Sequence, residues 1–466
     1  MTAIITDKLK TQLARSLFDE LVGSTPGDSD NYYTIAVGRS QQYDPVANTD
    51  VAPTPTNTER EERLFRYNIQ SLKAVEAFSF VVPIYDWTSN TIYAQYNDNQ
   101  AGQPAQSYYV RTAANNVYLC IRQGKNTNGV AQVSTVKPDH TDRSLPVETD
   151  GYIWKYLYTI TVSNANSFLT SQFMPVEFID SAKASDVFYS QFLVQDSAVP
   201  GQIVGYRVTE AGGPYSSAPD ITIRGNGTDS AKARAILNTA GGIAAIEIGD
   251  STNAPILGSM GAGYDYANIE ISTSTLNQGG TAATAVPVFG PKAGLGADPR
   301  DDLRSTSIMF NIKPEGSVDK KWITGNDYRQ VAVIKNILEY DSTGSFTGTA
   351  GNALKKMTLT ANPGSVSYAN DIEVTGSTSG AKAYLDMVDS SVFSYHQDET
   401  TGFKAFSDGE VVTVEGYTGS TLTTDSAARA PDVDVFSGDI LYIDNRATST
   451  TRDLASTEDI KVIIKL

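Results

Sequence analysis

The sequence predicts a mainly β chain with a few helices, an α+β protein of several domains whose discontinuous core carries inserted small β modules. Three observations lead there. Gly, Ser, Thr, Asn and Asp punctuate short apolar stretches along most of the 466 residues, the pattern of strands joined by turns. Only two stretches near the N-terminus carry the period of an amphipathic helix. Two further segments each hold a weak repeat at a spacing of forty residues, the length of a small all-β unit.

The first helix is expected from about Asp7 to Val22, where Leu9, Leu13, Leu17 and Leu21 form one apolar stripe and Gly23 follows as a stop. A strand over residues 32–37 ends at Gly38-Arg39-Ser40, and Pro45, Pro53 and Pro55 mark an extended connection. For the second helix, Thr58 is the expected N-cap, with Glu61 three residues on completing a capping box. Phe65, Ile69, Leu72 and Val75 then share a face until Pro83 breaks the helix. From there to about Phe173 only strands are expected. Residues 116–121 and 151–160 are the clearest, and the second alternates Tyr152, Trp154, Tyr156 and Tyr158 with Ile153 and Leu157, so both faces should be covered.

In the segment 197–295, residues 203–208 are echoed by 243–248. Each copy continues to a Tyr step and a strand: Tyr215, Ala218, Ile221 and Ile223, then Tyr266, Ala267, Ile269 and Ile271. Each closes on small residues, Ala231, Ala233 and Ala235 in one copy and Ala282, Ala283 and Ala285 in the other. In the segment 345–430, residues 372–376 are echoed by 412–416. The expected division is therefore 1–196 for the N-terminal core, 197–295 for one inserted module, 296–344 for core, 345–430 for the second module and 431–466 for the closing core strands.

Composition excludes several function classes. The formal net charge is −17, and the densest basic stretch, Arg60 to Arg66, is interleaved with Glu59, Glu61 and Glu62, so no nucleic-acid partner is expected. The N-terminus lacks the pattern of a secretory signal, and the longest apolar stretch, near Ala77 to Tyr85, is too short to span a bilayer. Synthesis in a cytoplasm without membrane insertion is expected. The single cysteine, Cys120, sits in an apolar run and reads as a buried thiol. Tyrosine is abundant, at 25 residues, and suits sheets and interfaces that stay partly wet.

No catalytic, cofactor or metal site emerges. The two histidines, His140 and His396, lie in polar surroundings, read as solvated, and have no second ligand at metal spacing. Gly124-Lys125 lacks the Ser or Thr and the leading Gly of a phosphate loop, and Gly225-Asn226-Gly227 reads as a turn. Asp432, Asp434 and Asp439 could hold calcium, but no Gly-centred loop with a terminal Glu accompanies them, and exposed acidic residues are the plainer reading.

Four stretches carry a family resemblance: Gly38-Arg39-Ser40 after a strand; Pro83-Ile84-Tyr85-Asp86-Trp87; residues 150–157 around Trp154; and a closing set of residues 328–334, 437–446 and 458–460. In this order they resemble the baseplate wedge protein family (gene product eight type) of T4-like contractile-tailed bacteriophages. The resemblance spans roughly 1–195, 300–345 and 431–466. It implies a non-enzymatic, mostly β virion subunit that forms a homodimer and sits in the tail baseplate with other wedge proteins. Arg39, Trp87, Trp154, Arg329, Asn445 and Arg446 match its motifs. Each would pin strand ends and fill the core, or anchor an interface, since Arg and Trp commonly do so. The competing class is a carbohydrate-binding adhesin or tail-fibre module, which shares the β repeats and aromatics.

Overall fold

The structure, a computed structural model, describes residues 5–22, 31–44, 57–99, 105–179, 188–228, 230–250, 259–315, 319, 321–364, 366–419 and 421–466. Gly23, Pro45, Pro53 and Pro55, expected to stop a helix and extend a connection, lie outside these residues. The fold is mainly β with short helices. Its contacts group the chain into two units, one of residues 1–15, 79–309 and 465–466, the other of 16–78 and 310–464. The boundaries expected at 196/197, 295/296, 344/345 and 430/431 fall inside these units.

In the first unit, strands Tyr109–Arg111, Asn116–Arg122 and Ile153–Thr159 form an antiparallel sheet with Tyr109 opposite Leu119 and Cys120 opposite Trp154. All but the last residue of Ile153–Thr159 are buried, so both faces are covered. The tyrosines are drier than composition suggested. Tyr109, Tyr118, Tyr152 and Tyr158 are all fully buried. Each hydroxyl donates to a backbone carbonyl: Pro83 at 2.8 Å, His140 at 2.8 Å, Gln132 at 2.7 Å and Pro175 at 2.8 Å. A buried ring whose polar tip finds a carbonyl both fills the core and ties loops to it. Cys120 is a buried free thiol, and burial pushes its pKa up.

One helix breaks the expectation of strands alone as far as Phe173, and a second lies beyond that stretch. Val162–Phe168 is capped by Thr161, whose hydroxyl accepts from the Asn164 amide at 3.2 Å, and only Phe168 among its residues is buried. Tyr189–Asp196 has no side-chain cap and buries Gln191 and Val194. Neither has an apolar stripe long enough to read.

The repeat between 203 and 289 has a specific arrangement. The opening strand of the first copy, Ile203–Glu210, pairs with the closing strand of the second, Thr284–Phe289. Reciprocally, the opening strand Ile243–Ile248 pairs with the first copy's closing strand Ala233–Leu237. The middle strands, Ile221–Gly225 and Ala267–Ile271, pair with each other, Ile223 opposite Ile269. The copies thus exchange partners about an approximate two-fold. One alignment changes: the counterpart of Tyr215 is Tyr264, not Tyr266. Tyr215 and Tyr264 are each 4% exposed and Tyr266 is 66% exposed. Gly212 and Gly261, each three residues before its tyrosine, both take positive φ, as a glycine turn allows.

The second unit is built on a five-stranded antiparallel sheet in the order Ala350–Asn352, Ile69–Ala74, Tyr33–Gly38, Asp327–Lys335, Asp439–Thr451. Tyr33–Gly38 is buried at every position. The second helix is shorter than expected, Thr58–Asn68, and Ile69 and Leu72 belong to a strand instead. A strand buried on both faces shows no alternation, so its apolar residues mimic a continued helical face. The cap lies one residue earlier than expected: Asn57 accepts from the Arg60 amide at 3.0 Å. Pro83 ends the strand Ala77–Pro83 rather than breaking a helix. A Cβ on Gly38 would lie 2.1 Å from the Asn68 carbonyl oxygen, so the helix-to-strand corner requires glycine.

The first helix has the expected bounds, Asp7–Val22, but a different inner face. Leu9 and Leu13 are half exposed, while Thr11, Ala14 and Leu21 are buried. Phe18, on the same row, meets Phe78 edge-on at 5.3 Å. Residues four apart advance by about 40° around a helix, so a run of i+4 leucines curls away from the face that alternating steps of three and four keep inside.

Residues 355–429 close a six-stranded barrel in the order Lys355–Leu359, Val392–His396, Lys382–Asp389, Ile372–Gly376, Val411–Val414, Leu422–Arg429 and back to the first. Met357, Val374, Leu385, Phe393 and Val412 fill it. The two echoed strands lie side by side, Thr375 opposite Thr413. The barrel starts later than residue 345, because Phe346 packs in the sheet's core and Ala350–Asn352 is a strand of that sheet. Its two ends meet: Lys356 pairs with Arg429, and the Asp432 amide donates to the Asn352 carbonyl at 2.8 Å.

Candidate functional site

The six residues singled out in the sequence separate into two groups. Trp154 is fully buried in the first unit, stacked on Tyr152 at 5.6 Å and edge-on to Tyr93 at 5.4 Å. Trp87 packs against the same cluster, and its indole N–H donates to Ser134 Oγ at 3.2 Å. Arg39, Arg329, Asn445 and Arg446 gather on the five-stranded sheet of the second unit. Arg39 adopts φ 60° and lies over the Tyr43 ring at 4.7 Å, while the Tyr43 hydroxyl donates to the Arg329 carbonyl at 3.0 Å. Gln330 Nε2 donates to Asn445 Oδ1 at 2.7 Å, and Arg446 reaches Thr450 Oγ1 at 3.0 Å.

Beneath Arg329 lies a buried ionic cluster that sequence reasoning missed. Arg329 donates to the Ser40 carbonyl, and the Ser40 hydroxyl donates to Asp371 at the start of a barrel strand. His396, only 6% exposed, is not the solvated histidine expected: its Nδ1 sits 2.8 Å from Asp386 Oδ2. Asp386 Oδ1 also accepts from Asn326 at 3.3 Å and, more weakly, from Gln70 at 3.4 Å. Gln70 in turn accepts from Arg452 at 2.7 Å. The Arg452 guanidinium is 5.3 Å from the centroids of both the Trp322 and Tyr328 rings, and burial lowers its pKa to about 10. His140 is half-buried rather than solvated, 5.4 Å from the Tyr118 ring, and burial lowers its pKa.

The same unit exposes an aromatic cluster. Tyr67, near the end of the helix Thr58–Asn68, lies 4.9 Å from Phe403 and 5.9 Å from Phe436. Phe403 is 50% exposed and Phe436 61%. Both phenylalanines sit on braced loops. Arg66 donates to the carbonyls of Val435 at 2.8 Å, Ser437 at 2.6 Å and Gly438 at 2.7 Å, and Asp434 accepts from the Phe436 amide at 2.9 Å. Around Phe403, Asp398 Oδ1 accepts from the amides of Thr400 at 2.8 Å and Thr401 at 3.0 Å, and Gln397 Nε2 donates to the Lys404 carbonyl at 2.8 Å. Glu399 in this loop lies 3.9 Å from Arg60 and 3.8 Å from Arg63. Aromatic side chains held out to solvent on pre-ordered backbone lose little entropy when covered, the character of an interface hot spot.

Of the three acidic residues weighed as calcium ligands, two bond backbone amides and Asp439 is exposed. Asp432 accepts from the Asn352 amide at 2.8 Å and lies 3.5 Å from Lys321, and Asp434 caps the Phe436 turn. Among the described residues no group of three or more His, Cys, Asp or Glu side chains is placed to hold a metal ion. The exposed cluster was missed in the sequence too, although phenylalanines isolated in polar stretches, at 403 and 436, are a signal that could have found it; the ionic cluster had none. No protein-family model matches the chain, and no curated protein sequence matches it.

Proposed function

We propose that the protein is a structural subunit of a contractile phage tail, in the baseplate wedge, and that it holds a neighbouring tail protein through the Tyr67–Phe403–Phe436 surface. The observation that carries the reading is that surface: two half-exposed phenylalanines around a tyrosine, on loops fixed by Arg66 and Asp398. The motif resemblance supports it as well. The stretches around Arg39, Arg329 and Asn445 are far apart in sequence yet fall on or directly beside neighbouring strands of one sheet.

The test is the double substitution Phe403→Ser with Phe436→Ser, compared with wild type in assembly with the other tail proteins. The chain should keep its thermal transition, because both rings are already largely in water, and lose incorporation into baseplates. Retained incorporation would remove the surface from the proposal. Glycan-array binding that the same substitutions leave intact, in a chain absent from baseplates, would favour the adhesin class. The homodimer belongs to this reading too: light scattering at micromolar concentration should give about twice the 50.1 kDa chain mass.

A further inference from the structure

We infer that the contact between the six-stranded barrel and the five-stranded sheet is a proton-dependent joint, in which His396, Asp386 and Asp371 of the barrel meet Ser40, Gln70 and Arg329 of the sheet. Both bodies lie in one compact unit, so the joint is internal to it.

The geometry concentrates ionisable groups where water is scarce. Asp386 is 1% exposed and His396 6%, and they share a 2.8 Å hydrogen bond. Asp371 sits at φ 61°, a conformation uncommon outside glycine, and from there its carboxylate accepts from the Ser40 hydroxyl. Buried polar groups are normally paired, yet His396 Nε2 has no hydrogen-bond partner among the described residues, so the ring contributes one bond whichever charge it carries. His396 faces Asp386, Asp371 and Asp398 and has the Tyr384 ring 5.5 Å away. Asp371 faces Asp386, His396 and Arg329. On the sheet side Arg452, with Asp327, Tyr328 and Glu458 around it, closes the cluster through Gln70.

Two carboxylates and one imidazole cannot all sit in their neutral-pH forms here without strain. Burial, with the Asp386 charge beside it, pushes the Asp371 carboxyl up to about 6. Burial alone would disfavour the His396 cation, but the charge and hydrogen bond of Asp386, with Asp371 and Asp398 behind it, outweigh that and raise its pKa. In mild acid the joint holds a proton on Asp371 and a cation at His396 between acidic neighbours. As pH rises, Asp371 ionises and His396 discharges, leaving buried carboxylates facing each other with less positive charge between them. Both shifts have one sign: the folded joint binds protons that the separated groups release, so it is tightest in mild acid and loosens toward pH 8.

The test is amide hydrogen exchange of the full chain at pH 5.5 and pH 8, corrected for intrinsic exchange, read at residues 371–376 and 382–389. We expect protection there to fall roughly tenfold or more at the higher pH, set against strands of the first unit as an internal reference. Asp371→Asn, which imitates the protonated carboxyl and can keep the Ser40 contact, should abolish most of that difference. Protection at these strands that does not change with pH in the wild type overturns the inference. So does an Asp371→Asn chain whose pH response equals wild type. If that variant does not fold, the wild-type comparison alone decides.

Discussion

Trp154 offers the sharpest test of how the first unit is held together. Its side chain is 0% exposed, stacked on Tyr152 and edge-on to Tyr93, and its indole N–H has no partner among the described residues. A fully buried tryptophan removes on the order of 200–250 Å² from water, which at about 25 cal/mol per Å² is roughly 5–6 kcal/mol. Alanine keeps a small part of that and leaves a cavity, so Trp154→Ala should cost about 3–5 kcal/mol. Trp154→Phe keeps an aromatic ring and also removes an unpaired buried N–H, so it should cost only about 1–2 kcal/mol. The assay is urea unfolding followed by tryptophan fluorescence in a Trp322→Phe background. Trp87, packed against the same cluster, then reports on the first unit alone. An alanine variant losing under about 1 kcal/mol, or a phenylalanine variant as damaged as alanine, would refute a pure packing role.

Three other outcomes follow from the geometry. Gly38→Ala forces a Cβ to within 2.1 Å of the Asn68 carbonyl oxygen and should cost about 2–3 kcal/mol in urea unfolding, against near-neutral Gly→Ala changes at Gly419, where a Cβ meets nothing within 4 Å. For Asp371, a pKa of about 6 against 3.8 in the unfolded chain means stability that is present below pH 3.8 and lost as pH rises through 6. The amplitude is about 3 kcal/mol, read as the difference in unfolding free energy between wild type and Asp371→Asn across that window. Replacing residues 355–429 with a short Gly/Ser linker should leave the five-stranded sheet folded, since Lys356 and Arg429 are paired neighbours; loss of the sheet's amide protection in that deletion would show the barrel to be part of its core.

How much of this was legible depended on whether the information was local. The first helix and the strands at 116–122 and 153–159 announce themselves through spacing and β-rich runs. The strand Ile69–Ala74 does not, because burial on both faces erases its alternation and lets Phe65, Ile69 and Leu72 pass for one helical face. Helix Tyr189–Asp196 has no Ser, Thr, Asp or Asn at its cap to betray it. The repeats were visible, but their reciprocal pairing was not, since nothing in either copy says which partner it takes. The site residues show the same limit. Trp87, Trp154, Arg39 and Arg329 were singled out because the motifs that hold them resemble a family, and that resemblance says nothing of what each side chain touches. His396 was misread as solvated from its polar neighbours Gln397 and Asp398, whereas the residue that matters, Asp386, lies on the adjacent strand where Tyr384 pairs with His396. Such a pair is set by barrel register, which spacing along the chain does not encode.

The proposed role is that of a baseplate component that binds a neighbour through its braced aromatic surface. Quantitative mass spectrometry of baseplates purified from virions assembled with wild-type chain or with the Phe403→Ser, Phe436→Ser variant tests it most directly. Wild-type chain is expected in the baseplate fraction at a fixed ratio to the other wedge proteins, and variant chain in the unassembled pool while still folded. Recovery of the wild type with fibres, its absence from virions, or equal incorporation of the variant would overturn the proposed role.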